Sequence, residues 1–166
     1  LRITGLGEGV DRGRRLREAA MARVRAVLGE YRRELEALGA TRTLLVATRA
    51  VRDAGNGADF LDELERDYGV VARLLGGDDE ALLTFRGVTS GRELAGETLI
   101  VDVGGGSTEL LLGGPGGVSF HTSLDVGCVR MTERFLASDP PAPAELAACA
   151  AHVRSLLPEL DVRAAI

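Results

Sequence analysis

The chain has 166 residues, 45% hydrophobic and 27% charged, the balance of a globular chain with room for one or two small domains. No apolar run approaches the roughly 20 residues of a bilayer span and no charged-then-apolar leader opens the chain, so a cytoplasmic setting away from membranes is expected. A net charge of -5 argues against a general polyanion-binding surface, nucleic acid included, and with no lysine among the 20 basic residues every cationic contact must come from an arginine fork.

In chain order, Leu16, Ala20, Val24, Val27, Tyr31, Leu35 and Leu38 recur at steps of three and four, which predicts one long amphipathic helix from Gly13 to Leu38, closed by Gly39. The short apolar runs Thr43 to Thr48 and Val70 to Leu75 read as buried strands. Between and after them, Asn56 is expected to cap a helix over Gly57 to Tyr68 with Phe60, Leu61 and Leu64 inward, and Asp78 to cap a second from Asp79 to about Thr89. Strand and helix alternate, so an α/β layer architecture follows. The turn-rich stretch Gly91 to Gly96 suits an interdomain hinge. Beyond it Thr98–Val103, Thr108–Leu112 and Val118–Leu124 read as a meander of three strands. Helices over Asp125 to Leu136 and Ala144 to Leu157 close the chain, with Leu146, Val153 and Leu157 inward, and Cys128 and Cys149 read as reduced, half-buried thiols.

Gly104, Gly105 and Gly106 interrupt two apolar strands, where three consecutive glycines cost backbone entropy and need a reason. A tight hairpin is one reason, and close approach of a ligand is another. In the second case successive N–H groups point at an oxyanion, and Ser107 and Thr108 add hydroxyl donors. Asp102 before the turn and Glu109 after it would repel a phosphate unless a hard divalent cation such as Mg²⁺ stood between. A P-loop is excluded because it needs a lysine and opens a helix, whereas Glu109 to Leu112 continues as strand.

The stretch LIVDVGGGSTELLLG resembles the second phosphate motif of the exopolyphosphatase and guanosine pentaphosphate phosphatase (Ppx/GppA) family. GLGEGVDRGRRL, TRAVRDAGNGADFL and SLDVGCVRMTERFLASDPP are similar to other segments of that family in the same order, so the likeness runs from Gly5 to Pro141. The resemblance implies a two-lobed actin-like (ribonuclease H-like) fold. It implies hydrolysis of a terminal phosphate from polyphosphate or guanosine pentaphosphate, with Mg²⁺ or another divalent cation as cofactor. By position it makes Glu80 the catalytic base, Asp102 and Glu109 metal or water-positioning carboxylates, Gly104 to Thr108 the phosphate cradle and Arg52 a phosphate contact. Read without the resemblance, Glu80 is an ordinary acidic residue at a helix N-terminus, Arg52 a solvated turn arginine and Asp102 a polar strand end.

Departures accompany the likeness. Gly76-Gly77 stands where the family commonly has Ser-Gly, and Asp79-Glu80 where it has two glutamates. The family's first phosphate loop, a D-x-G-[ST]-N segment, has no counterpart. The expected division is therefore a first lobe over 1–92 lacking its N-terminal strands and the start of a second lobe over 93–166, incomplete at both ends. Such a piece is expected to be catalytically deficient, with an exposed sheet edge that invites self-association, and a homodimer is left open. Two rival readings stand: a sugar- or acetate-kinase-like phosphotransferase of the same superfamily, and a module that binds guanosine tetraphosphate or pentaphosphate without hydrolysing it.

Overall fold

The apolar patterning resolves, in the computed structural model, into helices and short strands over residues 1–157, the residues the structure describes. They fall into two compact units, Leu1–Gly76 and the chain from Gly77 onward.

In the first unit the order is α1 (Val10–Gly13), α2 (Glu18–Ala37), β1 (Leu44–Ala47), α3 (Arg49–Arg52), α4 (Gly57–Tyr68) and β2 (Val71–Leu74). The two strands pair in parallel, from Leu44 opposite Val71 to Ala47 opposite Leu74, because the α3–α4 crossover returns the chain in the same direction. Phe60, Leu61 and Leu64 form the buried stripe of α4, as their spacing predicts, and meet Val10, Leu16 and Val51 in the core. The predicted helix from Gly13 is broken: Arg14 takes a left-handed backbone with φ 51°, and α2 begins only at Glu18. Long-range bonds explain the break, since the Arg14 carbonyl accepts from Gly55 N–H at 2.8 Å and the Leu16 N–H donates to Asn56 Oδ1 at 2.8 Å. Asn56 is thus no side-chain cap for its own helix; its amide spans 40 residues and also donates to the Leu16 carbonyl at 3.1 Å. At the far end of α2, Leu38 is exposed rather than inward.

Across this unit Arg25 grips Glu63 with a two-pronged fork, Nη2 to Oε2 at 3.0 Å, while Tyr68 Oη donates to the Arg25 carbonyl at 2.8 Å. That fork holds the Glu63 carboxyl below its ordinary range, and it lies over Phe60, 5.5 Å from the ring centre.

The second unit contains α5 (Gly77–Thr89), β3 (Thr98–Val103), β4 (Thr108–Gly114), β5 (Gly117–Leu124), α6 (Cys128–Phe135) and α7 (Pro143–Leu156). The strands form the expected antiparallel meander, with Ile100 facing Leu111 and Leu111 facing His121. Ala81 and Phe85 of α5 pack on Ile100 and on Leu111, which is fully buried. The compact units divide ahead of α5, whose apolar stripe finds its partners on the meander. Asp78 lies inside the first turn of α5 rather than at a cap before it, with its carboxylate 3.5 Å from His121 Nε2. At the other end of the chain, Leu146 and Leu157 are half exposed instead of inward, and Cys128 is exposed.

Candidate phosphate-binding site

Strand period 2 puts Ile100, Asp102, Leu111, Glu109, His121 and Ser123 on one face of the meander. Asp102 and Glu109 are direct cross-strand partners, and Ser123 stands opposite Glu109 on the third strand. Glu109 is buried and accepts a hydrogen bond from Ser123 Oγ at 2.9 Å, which fixes the orientation of one carboxylate oxygen. Asp102 is exposed. Two carboxylates set directly opposite are unfavourable unless a cation intervenes.

The helix α5 lies on this same face, and its direction is readable from two contacts. Phe85 sits against Gly113 at the far end of the sheet, so close that a Cβ there would come within 2.6 Å of its ring, whereas Asp78 reaches His121 nearer the glycine turn. The N-terminal end of α5, with Glu80 half-buried in its first turn, is therefore the end on the side of the turn. A helix N-terminus carries partial positive charge, which favours anions near that end.

The turn itself is closed by the Gly104 N–H donating to the Ser107 carbonyl at 2.9 Å. Its other carbonyls face α6. Cys128 N–H donates to the Gly104 carbonyl at 3.0 Å, and Val129 and Arg130 N–H donate to that of Gly105 at 2.9 and 3.1 Å. The Arg130 guanidinium takes the Gly106 carbonyl through Nε at 2.6 Å. A trans peptide is planar, with each carbonyl opposed to the N–H of the next residue. Holding the carbonyls of Gly104, Gly105 and Gly106 on the α6 side thus directs the N–H groups of Gly105, Gly106 and Ser107 to the other side. Among the described residues these three amides donate to no backbone carbonyl.

Two of the three glycines, Gly105 and Gly106, are not demanded by the protein's own conformation, whereas a Cβ on Gly104 would lie 3.2 Å from the Ser107 oxygen. None of Gly104 to Gly106 has a positive φ. A Cβ on Gly105 would meet nothing nearer than a Val129 methyl at 3.5 Å, and one on Gly106 only Arg130 Nη2 at 3.8 Å. Gly127, by contrast, is required by crowding, since its Cβ would lie 2.4 Å from the Gly105 oxygen.

Of the residues picked from sequence, the second unit thus holds Glu80, Asp102, Gly104, Gly105, Gly106, Ser107, Thr108 and Glu109. The Thr108 hydroxyl donates to the Val126 carbonyl at 2.6 Å and so braces the foot of the turn instead of presenting a donor. Arg52 belongs to the first unit, where its Nη1 donates to the Leu75 carbonyl at 2.6 Å, tying α3 to the end of β2. Sequence reasoning missed Ser123, Gly127 and Arg130. The alternation of β5 points Ser123 to the acidic face, and a glycine opening the segment GCVR was the available signal for Gly127.

Residues 1–166 match the model of the Ppx/GppA phosphatase family. The chain is 40% identical over 163 residues to Exopolyphosphatase 2 of Mycobacterium tuberculosis, covering 94% of this chain and 50% of that one. It is 32% identical over 130 residues to guanosine-5'-triphosphate,3'-diphosphate pyrophosphatase of Photobacterium profundum, covering 78% of this chain and 26% of that one. The solved structure of an exopolyphosphatase-like protein superimposes with a TM-score of 0.85 at 38% identity, covering 93% of this chain and 49% of that one. The mixed α/β arrangement is accordingly part of an actin-like fold, and the chain spans half or less of the length of these relatives.

Proposed function

The chain belongs to the Ppx/GppA phosphatase family, and from that premise we propose that the full-length protein hydrolyses the terminal phosphate of inorganic polyphosphate or guanosine pentaphosphate. The observation that carries this reading is the turn at Gly104 to Ser107: its carbonyls are held from the α6 side, which leaves three amides to the other side, and Gly105 and Gly106 are glycines that no crowding within the protein requires. Backbone donors bare of Cβ atoms suit a phosphate brought to contact distance.

In this reading the amides of Gly105, Gly106 and Ser107 bind the terminal phosphoryl oxygens and Glu80 is the general base. The Glu80 carboxylate accepts a proton from water, the water oxygen bonds to the terminal phosphorus, and the bridging P–O bond breaks, releasing inorganic phosphate and the shortened substrate. Fixed donors around the phosphoryl group stabilise its charge without reorganising during the step. Arg52 stays a proposed phosphate contact on the resemblance alone.

Asp102 and Glu109 fit a Mg²⁺ ion. No cluster of three or more His, Cys, Asp or Glu suited to a metal occurs among the described residues, and Mg²⁺ is commonly held by one or two carboxylates plus waters and substrate oxygens. Such an ion, when bound, supplies charge neutralisation between these carboxylates and the phosphate.

The test is phosphate release by the full-length protein from polyphosphate and from guanosine pentaphosphate, with Mg²⁺ and with excess chelator. We expect release from at least one substrate, loss with chelator, and a fall of about 10²–10⁴-fold in Glu80→Gln with substrate binding kept. Binding without release would favour the sensing module, and ADP-dependent phosphoryl capture the kinase-like reading. Unchanged turnover in Glu80→Gln would remove that residue from the role.

A further inference from the structure

We infer that Arg130, with Gly127, is a positioning residue for phosphate: α6 acts as a brace that sets the direction of the turn's amides, and Arg130 is its side-chain prong. The inference rests on the reading of the turn as a phosphate site, and it adds residues that never need to touch the substrate.

The peptide planes of an exposed glycine turn rotate freely, because glycine carries no Cβ to restrict φ and ψ. A free turn would present its amides in many directions, and ordering them on binding would weaken the complex. Here the rotation is blocked from behind. Two consecutive carbonyls are taken by the first N–H groups of α6, which have no partner within their own helix. The third, of Gly106, accepts from none of those N–H groups and is taken by Arg130 Nε at 2.6 Å. The Arg130 side chain lies along the buried side of the turn with only 8% of the residue exposed, and its Nη2 is 3.8 Å from an Asp125 carboxylate oxygen. A buried guanidinium in this place has two effects. It fixes the Gly106–Ser107 peptide, whose N–H is the last of the three amides, and it adds positive charge directly behind the oxyanion position. Gly127 makes both possible, because any side chain there would push α6 away from the Gly105 carbonyl.

The test uses the full-length protein, with inorganic phosphate as the binding probe and phosphate release from polyphosphate as the activity. Arg130→Met keeps length and apolar bulk but has no donor. It should weaken phosphate binding and raise KM by about 10- to 100-fold, the scale of a misplaced contact. Arg130→Lys, which retains the charge, should recover part of the loss. Gly127→Ala should produce the same rise in KM without touching Arg130. A purely structural role would instead lower the melting temperature and the fraction of active protein while leaving KM and the phosphate affinity of the folded molecules unchanged. That result in Arg130→Lys and Gly127→Ala would overturn the inference even if Arg130→Met failed to fold. Wild-type protein that binds phosphate but releases none would sink the proposed hydrolysis and leave the brace intact, to be judged by phosphate affinity alone.

Discussion

The two sheets of this chain are built from similar apolar residues yet bury them very differently. In the β1–β2 pair, Leu44, Val46, Val71 and Leu74 are 43–59% exposed, whereas the meander's central Leu111 is wholly buried. Parallel strands ordinarily need cover on both faces, and one face of β1–β2 is uncovered; an antiparallel meander tolerates one covered face, which α5 supplies. The meander thereby gains a rigid floor for a site at one end. On β3 the residues Leu99, Val101 and Val103 face away from that floor and are 40–63% exposed, although Leu110, opposite Val101 on the same face, is buried. Burial on the site-bearing side, rather than strand composition, separates a scaffold from an unfinished surface.

The contrast can be broken most forcefully at its buried centre. Leu111→Ala should destabilise the second unit by about 2–5 kcal/mol, since it truncates a fully buried side chain of the core cluster that holds Ile100 and Phe85. Denaturant unfolding of the full-length protein checks it, and a cost under 1 kcal/mol would mean that the meander does not depend on the α5 contact.

A smaller effect is expected in the first unit, where stability depends on pH through Glu63. Its folded pKa is lowered by the Arg25 fork, so the contribution is present above the ordinary glutamate value of about 4.3 and is lost as pH falls through the lower folded value. Glu63→Gln should remove that acid-side slope and cost at most about 1 kcal/mol near neutrality, because the pair is only partly shielded from water. An unchanged slope in the variant would assign the acid sensitivity elsewhere.

The smallest effect on folding should come from the open face. Val46→Lys in the 166-residue chain should change stability by no more than about 0.5 kcal/mol while reducing self-association seen by sedimentation, since it places a charge on an exposed apolar strand. If the same substitution costs several kcal/mol in the full-length protein, that face is covered there, and the contrast between the two sheets belongs to this segment alone.

Much of this was legible from local pattern. The period of α4 identified Phe60, Leu61 and Leu64 as core, and the alternation after Gly96 located β3 at its observed bounds, Thr98–Val103. The three glycines between acidic flanks marked the turn, because an entropic cost in the middle of two strands has few explanations. These readings succeed because side-chain periodicity and backbone entropy are properties of neighbouring residues. Tertiary structure alone decided the rest. Asn56 left its expected cap to serve Leu16 across 40 residues, α5 joined the meander, and Arg130 reached back 24 residues to the Gly106 carbonyl. In each case a polar group or an apolar stripe had several local options of similar energy, and the choice was made by a partner that only folding brings near.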